Sequence, residues 1–318
     1  MQHVTLKQLR FFRAVAAHLS FSKAAKELHL TQPAVSMQVR QLQEAVGLPL
    51  FEQIGRRIAL TEAGRELAHY AAAVTDLLRE ARETLDAMKG VAGGVLRIGA
   101  VSTAKYFAPM LFAEFARERP GVVIKFTVGN REEMVRQLAE NETDLVIMGR
   151  PPRELETVAE PFARHPLAIV APAAHPLAKA KRIPFKRLTG EPFLIREQGS
   201  GTRASMERVF QERGESYRPL MEVSSNETIK QAVIAGMGLA FLSLHTVGLE
   251  LQTRRLALLD VVGLPLVRDW YVIHRKDKRL LPAALAFREF LLRDGAGLIE
   301  RATGIAGTGV LRPRRRVS

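Results

Sequence analysis

Residues 20–42, SFSKAAKELHLTQPAVSMQVRQL, predict a helix-turn-helix, and this segment decides the fold of the N-terminal part. Apolar residues at helical spacing over 24–28 indicate a first helix, and His29 interrupts the pattern. Thr31 is placed to cap a second helix through its hydroxyl, and Pro33 falls in the first turn, where its missing N–H costs nothing. The second helix has a predicted buried stripe at i, i+4 and i+7, made of Val35, Val39 and Leu42.

The opposite face of the second helix carries side chains that can reach base edges and phosphates. Behind it, GLPLFEQIGRRIALT (47–61) predicts a hairpin with a basic tip, a wing that can lie along a phosphate backbone. Helix pairs of this kind also occur in proteins that never touch DNA, and a basic turn can simply be solvated. We assign DNA contact to Ser22, Lys23, Gln32, Pro33, Ala34, Ser36, Arg40, Arg56 and Arg57.

The composition limits which class of protein this chain can be and which kind of partner it can bind. The 318 residues are 47% hydrophobic and 25% charged, which predicts a globular chain of two or three domains. The net charge of +14 favours a polyanionic partner, although a GC-rich genome that prefers arginine gives the same excess. The chain has no cysteine, which excludes disulfides and thiolate sites. The N-terminus has no signal-peptide pattern and no apolar run approaches ~18 residues, so we expect a cytoplasmic protein with no membrane partner.

From Thr61, the run TEAGRELAHYAAAVTDLLREARETLDAMK predicts one long helix with apolar residues at mixed three- and four-residue steps. A helix of this length has no neighbouring core in the sequence, so its stripe predicts pairing with the same helix of a second subunit. The alternative is a helix that lies on its own domain. Gly90, Gly93 and Gly94 then mark a flexible break.

The rest of the chain alternates strands and helices, from a predicted strand at 95–99 to a predicted helix at 281–292. This order predicts a mostly parallel sheet. The pattern restarts with a strand at 167–171, which predicts two α/β lobes with a ligand cleft between them. A final strand is predicted at 270–274. Residues 301–318, which end in RPRRRVS, are predicted to be a disordered basic tail that either adds nonspecific DNA affinity or has no role.

Polar groups at the ends of the strands are candidate ligand contacts. Ser102, Thr103 and Lys105 open a helix, and the glycine-rich turn GSGTR leads into another helix with Arg203. Hydroxyls and N–H groups at a helix N-terminus favour an anion, although Ser102 or Thr103 can equally be a simple cap. Convergence of Lys105, Arg150 and Arg203 would select an anion with more than one charge. We assign effector binding to Ser102, Thr103, Lys105, Met148, Arg150, Ser200, Gly201, Thr202, Arg203 and Asn226.

The sequence offers no catalytic or metal-binding constellation. His165, His175, His245 and His274 lie in no metal-ligand spacing, and we interpret them as structural or surface residues. No Ser-His-Asp order or carboxylate pair stands out. We therefore assign no catalytic residue, metal or cofactor and expect a protein that is not an enzyme.

Residues 11–64, FFRAVAAHLSFSKAAKELHLTQPAVSMQVRQLQEAVGLPLFEQIGRRIALTEAG, resemble the N-terminal pattern of LysR-type transcriptional regulators. The order of winged helix-turn-helix, long helix and two α/β lobes also fits that family, and the resemblance runs to about residue 295. Four further segments look like the subgroup that controls carbon-fixation operons, usually called CbbR. They are DLVIMGRPP (144–152), FARHPLAIVAPAAHPLA (162–178), REQGSGTR (196–203) and SNETIKQAVIAGMGLAFLS (225–243).

The predicted architecture joins an α-rich N-terminal part to an α/β part that resembles periplasmic binding proteins. We divide the chain into a winged helix-turn-helix at 1–60, a linker and dimerisation helix at 61–90, effector lobe I at 91–162 plus 267–300, effector lobe II at 163–266, and a tail at 301–318.

The resemblance implies an activator that forms a homotetramer, a dimer of dimers, on an interrupted palindrome near a divergent promoter. A small anionic effector is then expected to change DNA bending, so that RNA polymerase transcribes a Calvin-cycle carboxylase operon. Effectors associated with the subgroup include ribulose bisphosphate, phosphoenolpyruvate and NADPH. The alternatives are a LysR-type regulator of another pathway, such as aromatic degradation or sulfur assimilation, a solute-binding protein, and an enzyme with its site in the cleft.

Overall fold

A computed structural model of the chain describes residues 4–55, 57–88 and 93–306. The chain divides into two compact units, Met1–Val91 and Ala92–Ser318. Within the described ranges, no helix is both long enough and apolar enough to cross a membrane.

The first unit contains the predicted helix-turn-helix and wing. Its elements are α1 (Leu6–His18), α2 (Phe21–Glu27), α3 (Gln32–Val46), β1 (Phe51–Ile54), β2 (Arg57–Leu60) and α4 (Glu62–Met88). Ser20 caps α2 by accepting a hydrogen bond from the backbone N–H of Lys23. Thr31 is the N-cap residue of α3 but its side chain makes no capping hydrogen bond, so the predicted Thr31 cap is wrong. Pro33 stands in the first turn of α3 as predicted, where its fixed φ suits a helix start.

The core of the first unit forms where α1, α3 and the wing meet. The predicted stripe of α3, Val35, Val39 and Leu42, is fully buried. The fully buried ring of Phe12 lies 5.4 Å, centroid to centroid, from the ring of Phe51 on β1. These contacts fix α3 with its polar face outward.

The long helix α4 runs over 27 residues, close to the predicted extent. Ala71 on this helix is buried in a hydrophobic core with Phe12 and Leu42. Several other large apolar side chains of the helix are exposed. These are Tyr70, Val74, Leu77, Leu78 and Leu85. The single chain therefore leaves most of the α4 stripe uncovered.

The second unit contains a mixed sheet flanked by helices. The nine strands in the described part are β3 (Gly94–Val101), β4 (Val122–Gly129), β5 (Leu145–Met148), β6 (Thr157–Pro172), β7 (Pro192–Arg196), β8 (Arg218–Val223), β9 (Leu239–Ser243), β10 (Leu256–Leu258) and β11 (Leu266–Arg275). The helices are α5 (Ala108–Glu118), α6 (Arg131–Ala139), α7 (Gly201–Glu212), α8 (Asn226–Ile234), α9 (Gly248–Gln252) and α10 (Pro282–Thr303). The strand order is β4-β3-β5-β11-β6-β9-β7-β8, and β10 pairs with β6.

The prediction of a mostly parallel sheet is wrong because β6 and β11 form a long antiparallel pair through its centre. Strand β6 has 16 residues and β11 has ten, far more than the predicted strands at 167–171 and 270–274. Parallel pairing is confined to β3 with β4 and β5, and to β7 with β8 and β9. Phe162 and Trp270 belong to one hydrophobic core and Leu167 to another, so the pair runs from one lobe into the other.

The C-terminal end of α10 is ordered, in contrast to the predicted tail from residue 301. The helix continues to Thr303, and Ile305 is fully buried in a core of the second lobe. Gly295 allows this extension to pack closely, since a Cβ there would lie 2.6 Å from the ring of Phe162. The rest of the predicted tail, 307–318, lies outside the described residues.

Candidate functional site

The polar face of α3 is the candidate DNA surface. Gln32, Pro33 and Arg40 are exposed, and Ser36 and Ala34 are partly exposed. The Gln32 side-chain amide donates a hydrogen bond to Ser36 Oγ at 3.2 Å. Amide, hydroxyl and guanidinium groups on one face of one helix are the donors and acceptors that read base edges in a major groove.

Two further groups flank this face within the first unit. Ser22 and Lys23 are exposed in the first turn of α2, where backbone N–H groups favour phosphate. Arg57 is exposed at the start of β2, after a turn in which Gly55 has φ +63°. Arg56 lies outside the described residues.

The second unit holds a cavity, which we call the inner cavity, at the ends of β3, β5 and β7. The space between its walls, counted together with the solvent in its open mouth, is about 470 Å³. Its lining residues are Val101, Ser102, Thr103, Asn130, Arg131, Met148, Gly149, Arg150, His165, Leu167, Arg196, Ser200, Gly201, Thr202 and Arg268. Seven of the ten predicted effector residues are among them.

Two of the four arginines of the inner cavity have carboxylate partners. Arg196 is buried and pairs with Glu197 at 2.8 Å, and it also donates to the side chains of Asn226 and Ser102. Arg131 pairs with Glu154 at 3.2 Å. These ion pairs hold two guanidinium groups at the wall in fixed positions.

The other two arginines, Arg150 and Arg268, form no ion pair with any carboxylate that the structure describes. Burial and the nearby charges of Arg153, Arg208 and Arg131 lower the pKa of Arg150. Burial, followed by the charges of Arg208 and Arg150, lowers the pKa of Arg268 to about 10. The positive charge is thus under-compensated here, and an anion would relieve the mutual repulsion.

The N-terminus of α7 adds to this positive field. Ser200 precedes the helix but makes no side-chain cap, and Ser200, Gly201 and Thr202 line the inner cavity. The first N–H groups of a helix are without intrahelical partners and carry partial positive charge. A carboxylate or phosphate in the inner cavity can accept hydrogen bonds from this end.

An outer vestibule continues from the inner cavity through shared residues such as Arg131, Arg150 and Arg268. It spans about 1000 Å³ including open solvent, and Arg153 and Arg203 also line it. A ligand with a second charged group therefore has room beyond the inner cavity.

The predicted convergence of Lys105, Arg150 and Arg203 is not what the structure shows. Arg203 points to the vestibule, where Glu207 at 2.8 Å and Glu222 at 2.6 Å neutralise it. The ammonium of Lys105 lies 5.3 Å from the centroid of the Tyr106 ring and is absent from the cavity wall.

Asn226 is buried behind the wall, where its amide oxygen accepts from Arg196. It therefore lies behind a lining residue instead of facing the cavity. Of the three predicted cations, only Arg150 lines the inner cavity.

Five polar lining residues of the inner cavity were not predicted from the sequence. Arg196 ends β7 and Arg131 begins α6, so the rule that selected Ser102 would have found both. Arg268 is the third residue of β11 and His165 lies in the middle of β6, so neither follows the carboxyl end of a strand. Asn130 caps α6 by accepting from the N–H of Glu133.

Comparison with known proteins agrees with this architecture. Residues 6–65 match the helix-turn-helix model of bacterial regulatory proteins of the lysR family, and residues 89–296 match the LysR substrate binding domain. The chain belongs to the LysR family of transcriptional regulators.

Within that family, the chain is similar to regulators of carbon-fixation operons. It is 53% identical over 294 residues to a RuBisCO operon transcriptional regulator of Allochromatium vinosum, covering 92% of this chain and 97% of that protein. It is 48% identical to the HTH-type regulator CfxR of Cupriavidus necator, covering 100% and 99%. The regulatory domain of CcmR of Synechocystis, solved in complex with 2-PG, is 38% identical with a TM-score of 0.61, covering 63% of this chain and 96% of that one.

Proposed function

We propose that this protein is a DNA-binding activator of a carbon-fixation operon, controlled by a small phosphorylated acid in the inner cavity. The observation that carries the proposal is the pair Arg150 and Arg268, which line the cavity without an ion-pair partner among the described residues. Guanidinium forks match the planar oxygen pairs of carboxylate and phosphate.

The chemistry of 2-PG, 2-phosphoglycolate, supports this ligand class. The Synechocystis domain is solved with that molecule, which carries a carboxylate and a phosphate. Two anionic ends separated by one carbon suit a cavity with cations on several walls. Ribulose bisphosphate, phosphoenolpyruvate and NADPH remain competing candidates, because the vestibule leaves room for a second charged group or a larger ligand.

Calorimetric titration of the full-length protein tests the ligand class. The panel contains 2-phosphoglycolate, phosphoenolpyruvate, ribulose bisphosphate and NADPH, with glycolate and inorganic phosphate as single-charge-group controls. We expect at least one phosphorylated compound to bind more tightly than both controls. Equal binding of glycolate and the phosphorylated compounds would contradict the proposal.

We further propose that residues 1–60 bind DNA, that the helix at 61–90 pairs subunits, and that 91–162 plus 267–300 and 163–266 are the effector lobes. The exposed apolar residues of α4 support subunit pairing. A dimer of dimers that contacts RNA polymerase at a divergent promoter completes the proposal. Light scattering measures the subunit number, and a stable monomer at micromolar concentration would contradict it.

A further inference from the structure

His165 forms part of the inner cavity wall from the middle of β6. The side chain is almost wholly buried, with 5% of the residue exposed. Its Nδ1 atom is buried and has no hydrogen-bond partner that the structure describes. A Cβ on Gly149 would lie 2.8 Å from Nδ1, so any side chain at this position would press against the ring. A buried polar atom without a partner on a cavity wall points to a ligand atom that completes it.

The other ring nitrogen of His165 determines which proton Nδ1 carries. Nε2 lies 2.9 Å from the hydroxyl of Ser243, which is fully buried. His165 Nε2 is the one hydrogen-bond partner that the structure describes for that hydroxyl. An unmade donor bond in a buried site costs about 1–3 kcal/mol. Both buried donors are satisfied when the Ser243 hydroxyl donates to Nε2 and Nδ1–H donates to a ligand oxygen. In this tautomer the imidazole proton resides on Nδ1.

Stacking and burial keep this ring rigid and neutral. Its centroid lies 3.9 Å from that of Trp270 with 15° between the planes, and Trp270 Nε1 donates to His245 Nδ1 at 3.0 Å. Burial, followed by the charges of His245 and Arg268, holds the pKa of His165 far below its ordinary value. The ring is therefore a neutral donor among guanidinium groups throughout the physiological pH range.

We infer that His165 is a specificity-determining residue whose Nδ1–H donates a hydrogen bond to a carboxylate or phosphate oxygen of the effector. Ser243 is a positioning residue that sets the tautomer from behind the ring. The inference rests on the proposed function, since it names a contact to that effector. A neutral donor adds direction without adding charge: arginines attract any anion, whereas a fixed Nδ1–H requires an acceptor oxygen at one place.

The test uses the full-length protein, 2-phosphoglycolate as the probe, and three variants. H165F keeps a ring on Trp270 and removes the donor, and we expect Kd to rise by about 10- to 100-fold, the range for a hydrogen bond to a charged group. H165N places an amide N–H near the Nδ1 position and should recover most of that loss. S243A leaves the cavity wall unchanged but frees the tautomer, so we expect a smaller rise in Kd. Emission from Trp270, the single tryptophan of the chain, reports both folding and binding.

A second measurement does not depend on any ligand. Nitrogen-15 NMR of the imidazole in the wild-type protein should show Nδ1 protonated and Nε2 unprotonated, and S243A should shift this balance. A protonated Nε2 in the wild type, or full affinity in H165F, would overturn the role of His165 alone. A wild-type protein that binds none of the phosphorylated compounds would overturn the proposed function itself.

Discussion

Replacing Arg268 by methionine should stabilise the ligand-free protein and remove its response to the effector. Burial and the charges of Arg208 and Arg150 lower the pKa of Arg268 to about 10. Because the folded state disfavours this cation, the cost is present at every pH below about 10. The lowered pKa corresponds to a cost of roughly 3 kcal/mol, and solvent screening of a partly exposed side chain reduces this to about 1 kcal/mol.

Methionine keeps a long unbranched side chain without the charge. Ser205, which accepts a hydrogen bond from Arg268, keeps its other bond to the carbonyl oxygen of Gly201. For a unit of this size, about 1 kcal/mol raises Tm by about 2–4 °C. Thermal unfolding of the full-length protein with and without 2-phosphoglycolate should therefore show a higher ligand-free Tm in R268M and a smaller shift by the ligand.

Arg203 provides the matched control. It pairs with Glu207 and Glu222 in the vestibule, so R203M should not raise the ligand-free Tm and should keep most of the ligand shift. An R268M variant with a lower ligand-free Tm and an undiminished ligand shift would refute the argument that Arg268 awaits an anion.

Three further predictions concern stability and DNA binding. Phe12→Ala empties a fully buried site and should cost about 3–5 kcal/mol; calorimetry should show this loss in one transition, with DNA binding weakened and effector binding kept. Burial lowers the pKa of His245 to about 4. Between pH 6.5 and about 4 the unfolded state therefore binds more protons at this residue than the folded state does. As the pH falls through this window, the free energy of unfolding decreases by up to about 1.4 kcal/mol per pH unit. Urea unfolding measures that slope, and H245N, which keeps an acceptor for Trp270, should reduce it. Arg57→Ala should reduce the slope of log Kd against log salt on DNA by about 1, and an unchanged slope would exclude a phosphate contact.

Local patterns were enough to predict the first unit and most elements of the second. The stripe of Val35, Val39 and Leu42 identified α3 because a single helix buries one face whatever its partners. The predicted Thr31 cap failed because residue type and position permit a cap without enforcing its hydrogen bond.

Long-range pairing explains what sequence analysis missed. The N-terminal part of β6, residues 157–165, carries no continuous apolar run, and its register with β11 makes it a strand. Arg268 and His165 face each other in that register and both line the inner cavity. Neither follows the carboxyl end of a strand, so the rule that found Ser102 and Ser200 had no reason to select them.

The most direct test of the central claim is the effect of the effector on operator DNA. Full-length protein is titrated onto promoter DNA of the carbon-fixation operon that we propose it controls. The DNA is labelled for bend angle by energy transfer, and the titration is run with and without 2-phosphoglycolate, phosphoenolpyruvate, ribulose bisphosphate or NADPH. The account predicts specific binding, a change in bend angle with at least one of these compounds, and loss of that change in R268M with DNA affinity retained. The account would be contradicted if no compound altered the bend angle. It would also be contradicted if a compound altered the bend angle as much with R268M as with the wild-type protein.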